Sequence, residues 1–337
     1  MPRRQPLVIG HRGAPGYRPE HTRSSYGLAI ALGVDAVEPD VVVSSDGVLV
    51  VRHENEIGST TDVADRPEFA DRRTTKTVEG AALTGWFTED FTWAELSTLR
   101  CRERLPQLRP TSAGFDGEEP PLRLHDLLDL VRTASREQGR EIGVVVELKH
   151  ATALGELGFD LAALVAAELR EAGWADGGLP LVIESFESTV LAGVKAHGIR
   201  AELVYLLEAS GRPYDLVVAD GAAAPAYPWF ASPAGLDGLV GVVDGISVDK
   251  RMILAPDRFG RAAGPARLVD DAHERGLTVF TWTCRPENVF LLPPFRRLGP
   301  KAMWGRYEQE WRLIADAGVD GVFVDHPDLG MSFFRGR

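Results

Sequence analysis

The feature that most constrains the fold of this chain is a regular alternation of short apolar segments with helical patterns. The apolar segments are four to eight residues long and cover 7–10, 36–43, 142–148, 181–186, 202–207, 242–248, 278–283 and 321–324. Strands that alternate with helices form a parallel sheet whose faces the helices cover. Eight such strands, joined by right-handed crossovers, predict an α/β fold of the (β/α)8 TIM-barrel type.

Helix signals separate several of these strands. Thr22 can cap a helix whose apolar positions recur at helical spacing until Gly33, and the segments 122–138 and 160–172 have the same periodicity. In a barrel of this type, functional side chains lie at the carboxyl ends of the strands. The polar and aromatic residues near the predicted strand ends are His11, Asp40, Glu147, Lys149, Ser185 and Trp282. We therefore expect them to share one face of the barrel.

Two long segments carry no clear periodicity, 55–121 and 222–241. We treat residues 1–337 as a single barrel domain and 55–121 as an insertion that leaves the barrel after His53, at the face where sites form. Its aromatic and leucine side chains can build a small satellite core, formed by Trp86, Phe87, Phe91, Trp93, Leu96 and Leu99. The insertion is predicted to be a loop subdomain that covers the site as a lid. The alternative is a decoration that only stabilises the barrel wall.

Carboxylates are concentrated at the strand ends. Glu38 and Asp40 lie two residues apart on one strand, so both point to the same face, and Glu147 ends the strand at 142–148. Oxygen ligands of this kind suit Ca²⁺ or Mg²⁺, so we predict one bound divalent cation. The alternative is that the acids form ion pairs with Arg12 and Lys149.

Two histidines accompany these acids. His11 and His53 each follow a predicted strand, and imidazole titrates near neutral pH, so the pair suits the removal and donation of protons. A single histidine beside a strand would more simply be structural. Arg12 and Lys149 add positive charge that can bind an anion. The remaining histidines are expected to be structural or solvent-facing, namely His21, His125, His150, His197, His273 and His326.

Several separate motifs occur in a fixed order along nearly the whole chain. They are HRG at 11–13, PEHT at 19–22, Glu38-Pro39-Asp40, SSDGVLVVRHE at 44–54, Glu147-Leu148-Lys149, Ser185-Phe186 and GVDGVFVDHPD at 318–328. In these motifs the chain resembles the glycerophosphodiester phosphodiesterases. The segments TTDVADRPEFADR at 60–72 and TWTCRPENVF at 281–290 resemble the larger bacterial subtype, which carries a long insertion after the second barrel strand.

The resemblance implies roles for individual side chains. His11 and His53 would act as general base and general acid, with Glu20 orienting one ring. Neither order of the two histidines is excluded; our working assignment makes His11 the base toward the glycerol 2-hydroxyl, which gives a cyclic phosphate, and His53 the acid toward the departing alcohol. The substrate-binding residues would be Arg12, Lys149, Phe186 and Trp282, although Trp282 could equally be ordinary core. Glu184 stands where a glutamine is commoner in the family.

The implied function is metal-dependent hydrolysis of glycerophosphodiesters to glycerol 3-phosphate and an alcohol. One alternative is phospholipase D-like activity on lysolipids, which would favour an apolar or cationic rim, whereas the insertion here is polar. Another is a noncatalytic barrel that only binds phosphodiesters. Such a protein would be expected to have lost one of the key polar residues, yet all of them are present: His11, His53, Glu38, Asp40 and Glu147.

The net charge of −12 argues against nucleic acid or anionic membranes as partners, because either would be repelled. No apolar stretch approaches the roughly 20 residues of a membrane helix, so stable membrane association is not expected. Cys101 and Cys284 lie in unrelated contexts and indicate no disulfide framework. The basic N-terminus lacks a following signal-peptide segment, so we expect a cytoplasmic protein, or a secreted one if a signal was removed. The predicted partner is a small-molecule glycerophosphodiester, and the oligomeric state is left open.

Overall fold

A closed barrel of eight parallel strands forms the centre of the computed structural model, which describes residues 5–256 and 262–336. The strands in chain order are β1 (Leu7–His11), β2 (Ala36–Glu38), β3 (Asp40–Val43), β4 (Leu49–Val51), β5 (Thr74–Val78), β6 (Ala81–Gly85), β7 (Leu122–Arg123), β8 (Gly143–Leu148), β9 (Leu181–Ser185), β10 (Glu202–Leu207), β11 (Gly245–Asp249), β12 (Leu254–Pro256), β13 (Ala262–Pro265), β14 (Thr278–Cys284) and β15 (Gly321–Val324). The barrel runs β1, β2 with β3, β8, β9, β10, β11, β14 and β15, and β15 pairs with β1. The predicted TIM barrel is confirmed.

The second barrel strand is interrupted at Pro39. Its first half, β2, pairs with β1 and β8, and its second half, β3, pairs with β8 and with the antiparallel β4. Our prediction of one continuous strand over 36–43 is wrong at this residue. Proline has no N–H to donate to the strand ladder, so the ladder breaks there.

Helices cover the outside of the barrel. They are α1 (Arg23–Ala31), α2 (Trp93–Leu96), α3 (Pro110–Ala113), α4 (Leu124–Gln138), α5 (Ala151–Glu156), α6 (Leu161–Glu171), α7 (Ser188–Ala196), α8 (Tyr214–Asp220), α9 (Tyr227–Phe230), α10 (Pro233–Leu239), α11 (Lys250–Ile253), α12 (Leu268–His273), α13 (Tyr307–Ala317) and α14 (Pro327–Gly330). Thr22 caps α1 as predicted, with its hydroxyl accepting from the Ser25 N–H. The segment 222–241, predicted to be irregular, instead contains α9 and α10, which were missed because each is only one or two turns long.

The apolar core has two layers. A small cluster fills the barrel interior and consists of Ile9, Ala36, Val145, Val204, Phe280 and Phe323. A larger cluster lies between the strands and the surrounding helices. Filling the interior with bulky side chains leaves space only beyond the strand ends, where a site can form. Within the described residues, none of the helices combines the length and the apolar character needed to cross a membrane.

The insertion at 55–121 is folded and packs on the β3–β4 hairpin. Its satellite core joins Val42 and Val50 of that hairpin to buried residues of the insertion, which are Ile57, Val63, Phe69, Phe91, Leu96 and Leu99, with Trp86 and Trp93 against them. Thr92 caps α2 in a capping box with Glu95. Of the predicted satellite residues, Phe87 is buried but lies outside this cluster.

Candidate active site

A cavity of about 420 Å³ opens at the carboxyl ends of the barrel strands. Eight of the predicted site residues line it: His11, Arg12, Glu38, His53, Glu147, Lys149, Phe186 and Trp282. The other two, Asp40 and Glu20, are buried directly behind this wall. A chain segment from each of several strands therefore contributes to one pocket, as the strand-end argument requires.

A buried triad of carboxylates lies at the cavity floor. Glu38, Glu147 and Glu184 end three neighbouring strands, and one oxygen of each lies within 4.8 Å of the others. Burial, together with the repulsion among these acids and Asp40, raises the pKa of all three carboxyls, to about 8 for Glu147. Among the described atoms, Glu38 Oε1 and Glu184 Oε2 accept no hydrogen bond. Crowded, unsatisfied carboxylate oxygens fit a hard divalent cation.

Asp40, predicted as a ligand beside Glu38, turns toward cationic and imidazole partners. Its Oδ2 accepts from His21 Nε2 at 2.9 Å and lies 3.4 Å from Arg12 Nε, while Oδ1 lies 3.4 Å from Lys149 Nζ. Burial opposes ionisation, but Lys149, Arg12 and the hydrogen bond with His21 outweigh it and hold the pKa of Asp40 well below its usual range. Asp40 is thus the permanently charged member of the acid group.

Arg12 and Lys149 carry the positive charge of the cavity. Arg12 has a left-handed backbone (φ 54°), a conformation often found at functional sites, and its N–H donates to Glu38 Oε2 at 2.8 Å. Lys149 Nζ donates to Glu147 Oε1 at 2.6 Å. The charged groups of both residues lie 3.4 Å from Asp40, one at each of its oxygens, and both residues line the cavity.

His11 lies at the end of β1 and is held by a carboxylate. Its Nδ1 lies 2.7 Å from Asp325 Oδ1, on the residue that follows β15. Burial and the nearby Arg12 lower the pKa of His11 to about 4, so the ring is neutral at pH 7. Because the ionised Asp325 can only accept, Nδ1 carries the proton and Nε2 keeps a free lone pair.

His53 reaches the same cavity from outside the barrel sheet. The β3–β4 hairpin turns at Asp46 and Gly47, whose φ of 81° suits glycine, and β4 then delivers His53 at its end. His53 Nδ1 lies 2.5 Å from Glu54 Oε1. Burial, Arg12 and Lys149 lower the pKa of His53 to about 3.

Glu20, expected to orient an imidazole ring, contacts arginines instead. Its carboxylate accepts from Arg12 at 3.1 Å and from Arg104 at 2.9 and 2.6 Å. The two rings take their partners from Asp325 and Glu54. In this geometry Glu20 fixes the guanidinium of Arg12 and does not touch His11 or His53.

Aromatic side chains form the apolar wall of the cavity. The Phe186 ring meets Trp282 edge-on at 5.8 Å and Tyr227 at 5.9 Å, and the Tyr227 hydroxyl donates to the Phe186 carbonyl at 3.1 Å. Trp282 is partly exposed to the cavity and is therefore not simply core.

The sequence model of the Glycerophosphoryl diester phosphodiesterase family matches residues 11–329. The chain belongs to this family. It is 30% identical to the glycerophosphodiester phosphodiesterase GDPD6 of Arabidopsis thaliana, over 95% of this chain and 84% of that protein. It is 27% identical to the glycerophosphodiester phosphodiesterase of Treponema pallidum, over 97% of this chain and 91% of that protein. The predicted family and enzyme class are confirmed.

Solved structures of the family share the fold. An Oleispira antarctica phosphodiesterase in complex with the product sn-glycerol-3-phosphate superposes with a TM-score of 0.65 at 20% identity, over 98% of this chain and 97% of that one. A glycerophosphodiester phosphodiesterase of Agrobacterium tumefaciens superposes with a TM-score of 0.56 at 19% identity, over 97% of this chain and 99% of that one.

No role was assigned from the sequence to several residues that surround this cavity. They are Glu54, Glu79, Arg104, Arg109, Glu187, Glu208, Arg285, Glu287 and Asp325. Asp325 could have been found, because it directly follows a barrel strand as His11 does. Glu184 was noted only as an unusual acid and proves to belong to the carboxylate triad. His150, expected to be structural, lines the cavity with Nδ1 2.7 Å from Glu79.

Proposed function

We propose that this protein hydrolyses glycerophosphodiesters to glycerol 3-phosphate and an alcohol, with a bound divalent cation and with His11 and His53 as the acid–base pair. One observation carries this proposal. A single cavity brings together two histidines, each held by a carboxylate, the basic side chains of Arg12 and Lys149, and the carboxylate triad. Phosphodiester exchange requires a base that takes one proton, an acid that donates one proton, and positive charge that binds the phosphate.

The cation would be held by Glu38 and Glu147, with Asp40 and Glu184 beside them. A divalent ion at this place would neutralise phosphate charge and orient the diester for in-line attack. Ca²⁺ and Mg²⁺ are the candidates, because every donor is a carboxylate oxygen. Because the pKa values of these carboxyls are raised, binding of the ion would be coupled to proton release.

Arg12 and Lys149 bind the nonbridging oxygens of the diester. Arg12 can make a two-pronged contact, and Glu20 fixes the plane of its guanidinium. Lys149 adds a point charge beside Glu147. Phe186 and Trp282 pack against the carbon atoms of the substrate.

His11 serves as the base. Its free Nε2 takes the proton of the glycerol 2-hydroxyl, whose oxygen attacks phosphorus to form a cyclic phosphate. His53 donates a proton to the departing alcohol oxygen as the bond to phosphorus breaks. In the second step His53 takes a proton from water, the hydroxide opens the ring, and His11 returns its proton to the glycerol oxygen. The positive charges of Arg12 and Lys149 disfavour protonation of His53. The negative charge of the bound diester offsets them, which raises the pKa of His53 toward the value that a general acid needs.

The insertion acts as a lid over this chemistry. Glu79, at the tip of the β5–β6 hairpin, lines the cavity beside His150. A polar hairpin at the rim limits access to small, water-soluble diesters and excludes lipids in a bilayer.

The test is incubation of metal-stripped protein with glycerophosphocholine, with Ca²⁺ or Mg²⁺ restored, while glycerol 3-phosphate and choline are measured. We expect both products only after the cation is restored, and a higher melting temperature in its presence. Glu147→Ala should fold, bind the ion weakly and lose nearly all activity. The exposed Glu156→Ala is the matched control.

Full activity of the chelated protein after confirmed metal removal would contradict the proposed requirement for a divalent cation. Release of choline phosphate would move the broken bond to the other side of phosphorus and contradict the mechanism. Turnover of lysophospholipid in preference to glycerophosphocholine would favour phospholipase D-like activity instead.

A further inference from the structure

Two arginines of the insertion bind the two carboxylates that hold the candidate catalytic histidines. Arg109 contacts Asp325, the partner of His11, and Arg104 contacts Glu54, the partner of His53. The two arginines are five residues apart in the insertion.

The first of these chains is fully buried. Arg109 Nη2 donates to Asp325 Oδ2 at 2.6 Å, and its Nε donates to Glu287 Oε1 at 2.8 Å. Asp325 Oδ1, the other oxygen, faces His11 Nδ1 at 2.7 Å. Arg285 Nε also donates to Asp325 Oδ2, at 2.6 Å. Both oxygens of Asp325 are thus bound, so the carboxylate plane, and with it the His11 ring, has one orientation.

The second chain has the same order of groups. Arg104 Nη1 donates to Glu54 Oε1 at 2.9 Å, and Nη2 donates to Oε2 at 2.5 Å, which is a two-pronged contact. Glu54 Oε1 in turn meets His53 Nδ1. Arg104 also binds both oxygens of Glu20, the residue that holds Arg12. It therefore connects the support of His53 to the support of the phosphate-binding arginine.

The loop that carries both arginines is itself fixed. Glu103 accepts from the Leu105 N–H at 2.8 Å and from the Ser112 hydroxyl at 2.5 Å, and the Arg109 N–H donates to the Leu105 carbonyl at 2.9 Å. These bonds close the loop on both sides of the arginines. Rigid outer partners of this kind keep reacting groups within a few tenths of an ångström of their productive geometry.

We propose that Arg104 and Arg109 are positioning residues through which the insertion orients His53 and His11 together. This proposal rests on the proposed function, because it gives the arginines an effect only if the two histidines transfer protons. It assigns the insertion a role in the chemical step in addition to covering the cavity.

The test compares kcat and KM for glycerophosphocholine, with the cation present, in Arg109→Gln, Arg104→Gln and the control Arg72→Gln. Arg72 also makes a two-pronged contact with a carboxylate of the insertion, that of Glu95. That carboxylate does not hold either candidate catalytic histidine. We expect Arg109→Gln to lower kcat roughly 10- to 100-fold with KM nearly unchanged. Arg104→Gln should lower kcat similarly and also raise KM, because Glu20 and Arg12 lose a partner.

The double variant Asp325→Asn with Arg109→Gln isolates the route of the effect. If Arg109 acts through Asp325, adding Arg109→Gln to Asp325→Asn should change kcat less than twofold. Arg109→Lys keeps one charged bond to Asp325 and should restore part of the activity; it replaces Arg109→Gln if that variant does not fold. Wild-type kcat in folded Arg109 and Arg104 variants would overturn the proposal. So would a full additional loss in the double variant.

The proposed function fails separately. His11→Gln or His53→Gln with near wild-type kcat would refute the acid–base pair, whatever the arginines do. Inactive histidine variants beside fully active arginine variants would refute only the positioning role.

Discussion

Replacing Glu184 by glutamine tests the carboxylate triad in the cation-free protein. Glutamine has the same shape but cannot ionise. Burial, Glu147 and Asp40 raise the pKa of Glu184 well above its usual range, so its carboxyl keeps its proton to a higher pH than a free glutamate does. In the unfolded chain a glutamate ionises with a pKa of about 4.3.

The size of the effect follows from the geometry. Two charges 4.8 Å apart repel by about 3.5 kcal/mol at an effective dielectric constant of about 20, more than the roughly 1.4 kcal/mol of one pKa unit. Between the unfolded and the folded pKa, the folded state binds one proton more than the unfolded state, so stability falls as pH rises. Glutamine removes this contribution. Between these two pKa values, the variant should therefore gain up to about 1.4 kcal/mol per pH unit relative to wild type.

The assay is urea unfolding followed by tryptophan fluorescence at pH 6.5, 7.5 and 8.5 in excess chelator. Taking the difference between variant and wild type cancels the histidines and cysteines, which titrate equally in both. The exposed Glu156→Gln should run parallel to wild type. Parallel curves for Glu184→Gln and wild type would show that Glu184 is ionised in the folded protein, and the reasoning would fail.

Two further outcomes are expected. His11→Ala and His53→Ala should each lower kcat/KM by roughly 10²-fold or more, and their effects should combine non-additively in the double variant. In the wild type, kcat/KM should fall on the acid side near pH 4, where the buried His11 base becomes protonated. A fall on the acid side near pH 6.5 would contradict this. Shortening the β5–β6 hairpin to remove Glu79 should raise KM for glycerophosphocholine or admit lysophospholipids with little change in kcat, since Arg104 and Arg109 remain; unchanged KM and unchanged exclusion of lysolipids would disprove the lid.

The barrel could be predicted because each of its strands is a compact apolar run with its own helix to follow. The errors have local causes. Pro39 divides a strand whose apolar pattern continues through it, and both halves still pair in parallel with β8. The helices α9 and α10 are too short, and too rich in proline and glycine, to establish a period.

The inner residues of the site were predictable for the same reason, because a polar residue after an apolar strand marks the active face. Among their supporting partners, Asp325 carries the same strand-end signal, but its pairing with His11 and the contacts of the arginines could not be predicted. Asp325 is 314 residues from His11, and Arg109 is 216 residues from Asp325. Such contacts leave no spacing in the sequence, and one arginine among 37 basic residues carries no signal of its own.

The way the insertion is attached is consistent with the two roles proposed for it, as a lid and as the support of the two histidines. It begins after His53 and returns through β7, which pairs antiparallel with β4, the strand that ends two residues before His53. Val42 and Val50 of the same hairpin belong to its satellite core. Both ends of the insertion and its apolar interior are therefore tied to the element that carries His53. A displacement of the insertion would move that hairpin as well, and Arg109 would transmit the same displacement to Asp325 and His11. The geometry of the two histidines thus depends on a single packed unit, although they come from different strands.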